Sequence, residues 1–135
     1  MDVLSLSDGA SQLKIELLSW DGDAYVAVHA QSHGFAGRND LHVASQDFKR
    51  FCGELVALQK SLKGEARLVS AVEGELDIRI APADSRGHIA VTGNTGYNVQ
   101  AADNSYWHSV HFGFQVEPGA LDAAVKVPWV SNHAV

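Results

Sequence analysis

Only one cysteine, Cys52, occurs in the 135 residues, so no internal disulfide can form. Positive charge is scarce as well. With 10 Lys and Arg against 16 Asp and Glu, the formal net charge is −6 with His neutral, which argues against nucleic acid as a direct partner, since phosphate binding needs a positive footprint. The same field permits a basic protein partner and would speed its approach. No apolar run approaches the roughly 18 residues that a membrane span needs. The start, Met1-Asp2-Val3-Leu4-Ser5, has neither a positive n-region nor a long apolar stretch, so the sequence predicts a cytoplasmic protein without membrane attachment. Charged residues make up 19%, below the usual share of about a quarter, while the apolar content is ordinary; disorder is not the expectation. A chain of this length fits a single domain, residues 1–135, and buries roughly two thirds of its unfolded surface without a disulfide or metal staple.

What is present is mostly alternation. Leu13, Ile15 and Leu17 alternate with Lys14 and Glu16, the period of a half-buried strand that Leu18 prolongs. Asp21-Gly22-Asp23 predicts a turn into a second strand, Tyr25 to Ala30. Gly34 and Gly37 bracket Phe35 and predict a bend or bulge, followed by a short strand, Leu41 to Ala44. Phe48, Phe51, Cys52, Leu55, Leu58 and Leu62 then recur at spacings of three and four. They predict a helix over 46–62, N-capped by Ser45, with Asp47 in its first turn and Gly64 as left-handed terminator.

Beyond Gly64 the period returns to two. Ala66 to Val72 reads as a strand, Glu73-Gly74 as a turn, and Leu76, Ile78 and Ile80 as the apolar side of a strand that Pro82 closes. His88 to Thr92 is another strand. Residues 93–104, rich in Gly, Asn and Asp, read as a connection with at most a short strand at Tyr97 to Gln100. Tyr106 to Val116 is the longest strand, and Pro118 suits the first turn of a short helix, 118–126, that Pro128 ends. No periodicity marks Trp129 to Val135. The sum is an α+β fold: a mainly antiparallel, sandwich-like sheet with one long amphipathic helix packed on it and a short C-terminal helix.

Catalytic motifs are missing. His29 and His33 stand four apart without a helix to align them. His108 and His111, three apart on a strand, face opposite ways. No metal motif and no nucleophile elbow occur, and Gly93-Asn94-Thr95-Gly96 lacks what a nucleotide loop requires. Convergence of His29, His42 and His88 is the remaining route to a metal site, and ordinary core and surface histidines are favoured over it. Cys52 sits on the apolar stripe and reads as an inert core residue. The expectation is a protein that is not an enzyme and holds no metal or cofactor.

Binding residues are suggested instead. Alternation puts Glu73, Glu75 and Asp77 on one face near a strand start, and Asp21 and Asp23 add acid at a hairpin tip. Trp107 and His111 share the less apolar face of the long strand, and Trp is enriched in binding hot spots. A solvated acidic sheet face and a largely buried Trp are the bland alternatives.

Certain stretches have a family likeness. Asp47-Phe48-Lys49-Arg50-Phe51 with Leu55, Leu58 and Leu62, Gly64-Glu65-Ala66-Arg67-Leu68, Glu73-Gly74-Glu75-Leu76-Asp77-Ile78, Arg86-Gly87-His88-Ile89 and Gly34-Phe35-Ala36-Gly37 resemble the WapI-like immunity proteins of bacteria. The likeness covers residues 13–92 and, loosely, 105–126; Gly93 to Asn104 and the stretch from Pro128 depart from it. It implies a cytoplasmic antidote that binds the C-terminal toxin domain of a polymorphic or contact-dependent toxin, such as a basic nuclease. Two alternatives remain at this stage. One is a small-molecule binding module with a pocket between sheet and helix, supplied by Trp20, Tyr25, Tyr97, Tyr106 and Trp107. The other is a metal-dependent enzyme built from dispersed histidines.

Overall fold

The computed structural model describes residues 2–134. Its first half is an antiparallel meander of β1 (Val3–Ser7), β2 (Ser11–Asp21), β3 (Asp23–Ser32) and β4 (Phe35–Val43). Helix α1 (Ser45–Ser61) leads to a second meander of β5 (Ala66–Val69), β6 (Leu76–Pro82), β7 (Ile89–Ala101) and β8 (Asn104–Val116). Two short helices follow, α2 (Gly119–Ala124) and α3 (Pro128–His133). The fold is α+β, as the period changes along the chain predict.

The period of two does the sorting. Leu13, Ile15, Val26 and Val28 of the first sheet and Leu76, Ile78, Ile80, Phe112 and Phe114 of the second turn inward, while α1 buries Phe48, Phe51, Cys52, Leu55 and Leu58 into the same core. Each such large side chain contributes on the order of 1.5–3 kcal/mol when fully withdrawn from water. The sheets meet where β3 and β4 pack on β7 and β8, and α1 lies along β5 and α3. Gly37 marks a close approach: a Cβ there would stand 3.1 Å from Thr95 Cγ2 and 3.2 Å from Val110 Cβ. Beside it Asn39 Nδ2 donates to the Gly96 carbonyl at 2.7 Å.

Several elements differ from expectation. β1 has no sequence-predicted counterpart; it is an edge strand of five residues, too short for its alternation to stand out. β4 begins at Phe35, because His33 and Gly34, with φ of 52° and 86°, form the two-residue hairpin turn that the glycines had suggested was a bend. The bulge lies elsewhere, at Leu17 to Ser19 in β2. Ser45 is the first helical residue, not the cap, and no side chain of α1 caps it; Asp23 Oδ1 accepts the Ser45 N–H at 3.3 Å from across the β2–β3 tip. The left-handed cap of α1 is Leu62, its N–H bonding the Leu58 carbonyl at 2.7 Å; Gly64, two residues on, is also left-handed with φ of 89°. β5 ends at Val69 because Ser70 turns the chain, donating to the Val72 carbonyl and accepting the Leu76 N–H.

The largest difference is at 93–104. This stretch is no connection: β7 and β8 pair without interruption from Ile89↔Val116 to Ala101↔Asn104, around a turn at Ala102 and Asp103. Finally, the stretch from Pro128 folds back as α3, where buried Trp129 donates its indole N–H to the Asp2 carbonyl at 2.8 Å.

Candidate binding surface

The β7–β8 hairpin is longer than the sandwich beneath it. From its base to the pair Thr95↔Val110 the inward side chains enter the core; beyond that the hairpin continues with Tyr97, Val99, Tyr106 and Trp107 all exposed. Direct pairing of Tyr97 with His108 and of Val99 with Tyr106 puts these four on one face, the continuation of the core-facing side past the edge of the first sheet. Trp107 belongs to the opposite, outward face.

Trp107 is 51% exposed, and its ring lies over the β5–β6 turn. A Cβ on Gly74, whose φ is 92°, would come within 3.0 Å of the indole, so glycine serves both the left-handed turn and the space the ring takes. That turn carries Glu73 and Glu75. Its backbone is fixed from β7, where the Gly96 N–H and the Thr95 hydroxyl both donate to the Glu75 carbonyl at 3.0 Å. Glu73 and Glu75 therefore lie just before β6, which starts at Leu76, and not on the strand face with Asp77 as alternation had suggested. The fold nevertheless brings an aromatic ring and two carboxylate-bearing residues to one place.

Asp77 is engaged differently. Arg67 reaches it with Nε at 3.1 Å and Nη2 at 2.9 Å, and these hydrogen bonds hold the Asp77 carboxyl below its usual range. One row further, Asp77, Asn94 and His111 lie side by side across β6, β7 and β8, around an open depression of about 280 Å³ that Arg79 and Thr92 also line. Of the seven sequence-predicted residues, Asp77, Trp107 and His111 thus share the outward side of the second sheet, and Glu73 and Glu75 sit on the turn against the Trp107 ring. Asp21 and Asp23 lie apart from both. They stand at the β2–β3 tip of the first sheet, where Asp23 serves the start of α1.

Tyr97 and Tyr106 entered the sequence reading only as aromatics for a small-molecule pocket, and Val99 not at all; none was among the partner-binding residues. Their alternation on either side of Ala101 to Asn104 was the available signal, masked by the Gly and Asn content of the segment.

The other chemistry-bearing groups are accounted for locally. Cys52 is fully buried, its thiol 3.7 Å from the Trp129 carbonyl, and burial pushes its pKa up to about 12. Among the described residues no three His, Cys, Asp or Glu side chains converge as a metal site would require. His29 sits opposite Arg38, His42 stacks on Tyr25 at 4.6 Å, and His88 Nδ1 is 2.7 Å from Asp84. The Asp84 carboxylate also accepts the Arg86 and His88 N–H groups, so the Arg86-Gly87-His88 element is a loop organised by Asp84, and the His88 contact is the main cause of that carboxyl's lowered pKa. The space between α1 and the sheets, where a small-molecule pocket was one expectation, is filled by Phe48, Phe51 and Leu55. No helix among the described residues is long and apolar enough to cross a membrane.

Compared with known proteins, the chain matches no family model, no curated protein and no solved structure.

Proposed function

We propose that the chain is a cytoplasmic immunity protein that neutralises a toxin domain by stoichiometric binding, without catalysis. One observation carries this: the half-exposed Trp107 lying against the acidic Glu73-Gly74-Glu75 turn at the outward side of the second sheet. A rigid aromatic with a polar surround has the makeup of a binding hot spot. Carboxylates beside it, on a chain of net charge −6, favour a basic partner such as a nuclease and steer its approach. The motif likeness to WapI-like immunity proteins supplies the class of partner, a toxin's C-terminal domain.

The test is to mix the purified chain with the toxin domain encoded beside its gene, then follow binding by calorimetry and toxin activity by its own assay. We expect a complex of one to one, full inhibition at equivalence, and an affinity reduced on the order of tenfold or more in Trp107→Ala, the loss a central aromatic anchor gives. Absence of both binding and inhibition would overturn the proposal.

A further inference from the structure

An antiparallel sheet ends in strands whose outward N–H and C=O groups lack partners, and folded proteins ordinarily shorten, charge or cover such edges. Three of the four edges here are managed in these ways. β1 is five residues long and has α2 packed on it. β4 carries Arg38 and Asp40, and its His42 carbonyl accepts the Ala71 N–H at 2.8 Å. β5 has four residues, and its Arg67 N–H is taken by the Glu54 carboxylate of α1 at 3.2 Å.

β8 is different. It runs for 13 residues, pairs among the described residues only with β7, and contains no Asp, Glu, Lys, Arg or Pro. Its free edge can be assigned atom by atom. Gly96, opposite Ser109, sends its N–H away from β8 to Glu75, so that pair is not hydrogen-bonded. By the alternation of an antiparallel ladder, Ser105, Trp107, Ser109, His111 and Gly113 then direct their backbone groups outward. Among the described residues, none of these groups has a backbone partner beyond the strand.

We propose that β8 pairs antiparallel with β8 of a second copy of this chain, joining two second sheets into one continuous eight-stranded sheet. The charge pattern selects this occupant. A basic partner is drawn to carboxylates, and β8 has none; two copies of an acidic chain repel, and they approach with least repulsion along a strand that has no formal charge. A twofold axis also presents each outward donor to an acceptor. Tyr106 and Trp107, 54% and 51% exposed on opposite faces, would flank the seam on both sides. An axis at Val110 would set Asp103 against Glu117 of the second copy. An axis at Ser109 avoids this and places Trp107 beside the second copy's His111.

Sedimentation equilibrium of the purified chain, without any toxin, tests this. We expect a reversible dimer. Ser109→Pro removes only an outward N–H, which an edge strand tolerates, and should weaken dimerisation by about tenfold or more, because the symmetric pair loses a bond from each copy. Ser109→Lys should weaken it at least as much by setting like charges face to face. Circular dichroism and a urea midpoint report folding; if Ser109→Pro fails to fold, Ser109→Lys decides. A chain that stays monomeric at submillimolar concentration, or a dimer that a folded Ser109→Lys leaves unchanged, would overturn the proposal.

Discussion

Single residues set the shape of the second sheet. Gly93 lies in β7 beside β6, and a Cβ there would run into the Asp77 carbonyl oxygen and stand 2.9 Å from Ile78 Cα. Both obstacles are backbone, which cannot swing aside as a side chain would. Gly113, one row away on β8, differs: its Cβ would only touch Thr92 Cγ2 at 3.5 Å, an ordinary contact. Gly93→Ala is therefore expected to destabilise by about 3 kcal/mol or more, the upper range for overpacking. Gly113→Ala should fall within about 0.5 kcal/mol of the parent, since lost unfolded-state freedom acts in its favour. Urea midpoints of the two variants check this, and equal midpoints would contradict it. The same glycines show why the segment was misread. Gly93, Asn94 and Gly96 look like loop residues, yet Gly93 and Gly96 are small because neighbouring backbone comes close, which is knowledge of the neighbour and not of the chain itself.

At the scale of elements, β5 is held by little: four residues, with α1 on one side and β6 on the other. The Arg67–Asp77 pair crosses from β5 to β6, with side chains 44% and 34% exposed. Such exposed pairs contribute roughly 0.2–1 kcal/mol. Because the hydrogen bonds from Arg67 lower the folded pKa of Asp77, its contribution is complete above the unfolded carboxylate pKa of about 3.9 and disappears as pH falls through the folded value. Arg67→Ala should thus lower the urea midpoint at pH 7 and converge on the parent in acid, below that folded pKa. A gap of constant size across the titration would show that the pair plays no part. Elements with strong periodicity were legible in advance: α1 from its stripe of Phe48, Phe51, Leu55 and Leu58, and β6 from Leu76, Ile78 and Ile80. β1 and α3 were not, since five or six residues give too few repeats of either period to register. The candidate surface was legible in part for a related reason. Parity placed Trp107 and His111 on one face, but only the fold could lay that Trp over Gly74.

For the molecule as a whole, the question is whether two sheets of local meanders unfold together. Each sheet is built from sequence neighbours and could in principle come apart alone. Besides the direct packing of β3 and β4 on β7 and β8, a cluster drawn from both ends of the chain joins them. Trp129 of α3 stacks on Phe48 of α1 at 5.3 Å and donates to the Asp2 carbonyl just before β1; Phe48 in turn meets Trp20 of β2 at 5.6 Å, and His133 packs on both. α1 itself lies along β5, so this aromatic knot connects the first sheet to the second. Trp129→Ala leaves a cavity where a 4% exposed ring had been and is expected to lose about 3–5 kcal/mol, a large share of the 5–15 kcal/mol that stabilises a domain. If the knot couples the sheets, unfolding followed by far-ultraviolet circular dichroism and by Trp fluorescence, with Trp20 replaced by Phe in parent and variant alike so that Trp107 and Trp129 report in the parent and Trp107 alone in the variant, remains one coincident transition in the parent and separates into two in the variant. A variant that loses the stability but keeps coincident transitions would assign the coupling instead to the direct packing of β3 and β4 on β7 and β8, where Gly37 meets Thr95 and Val110.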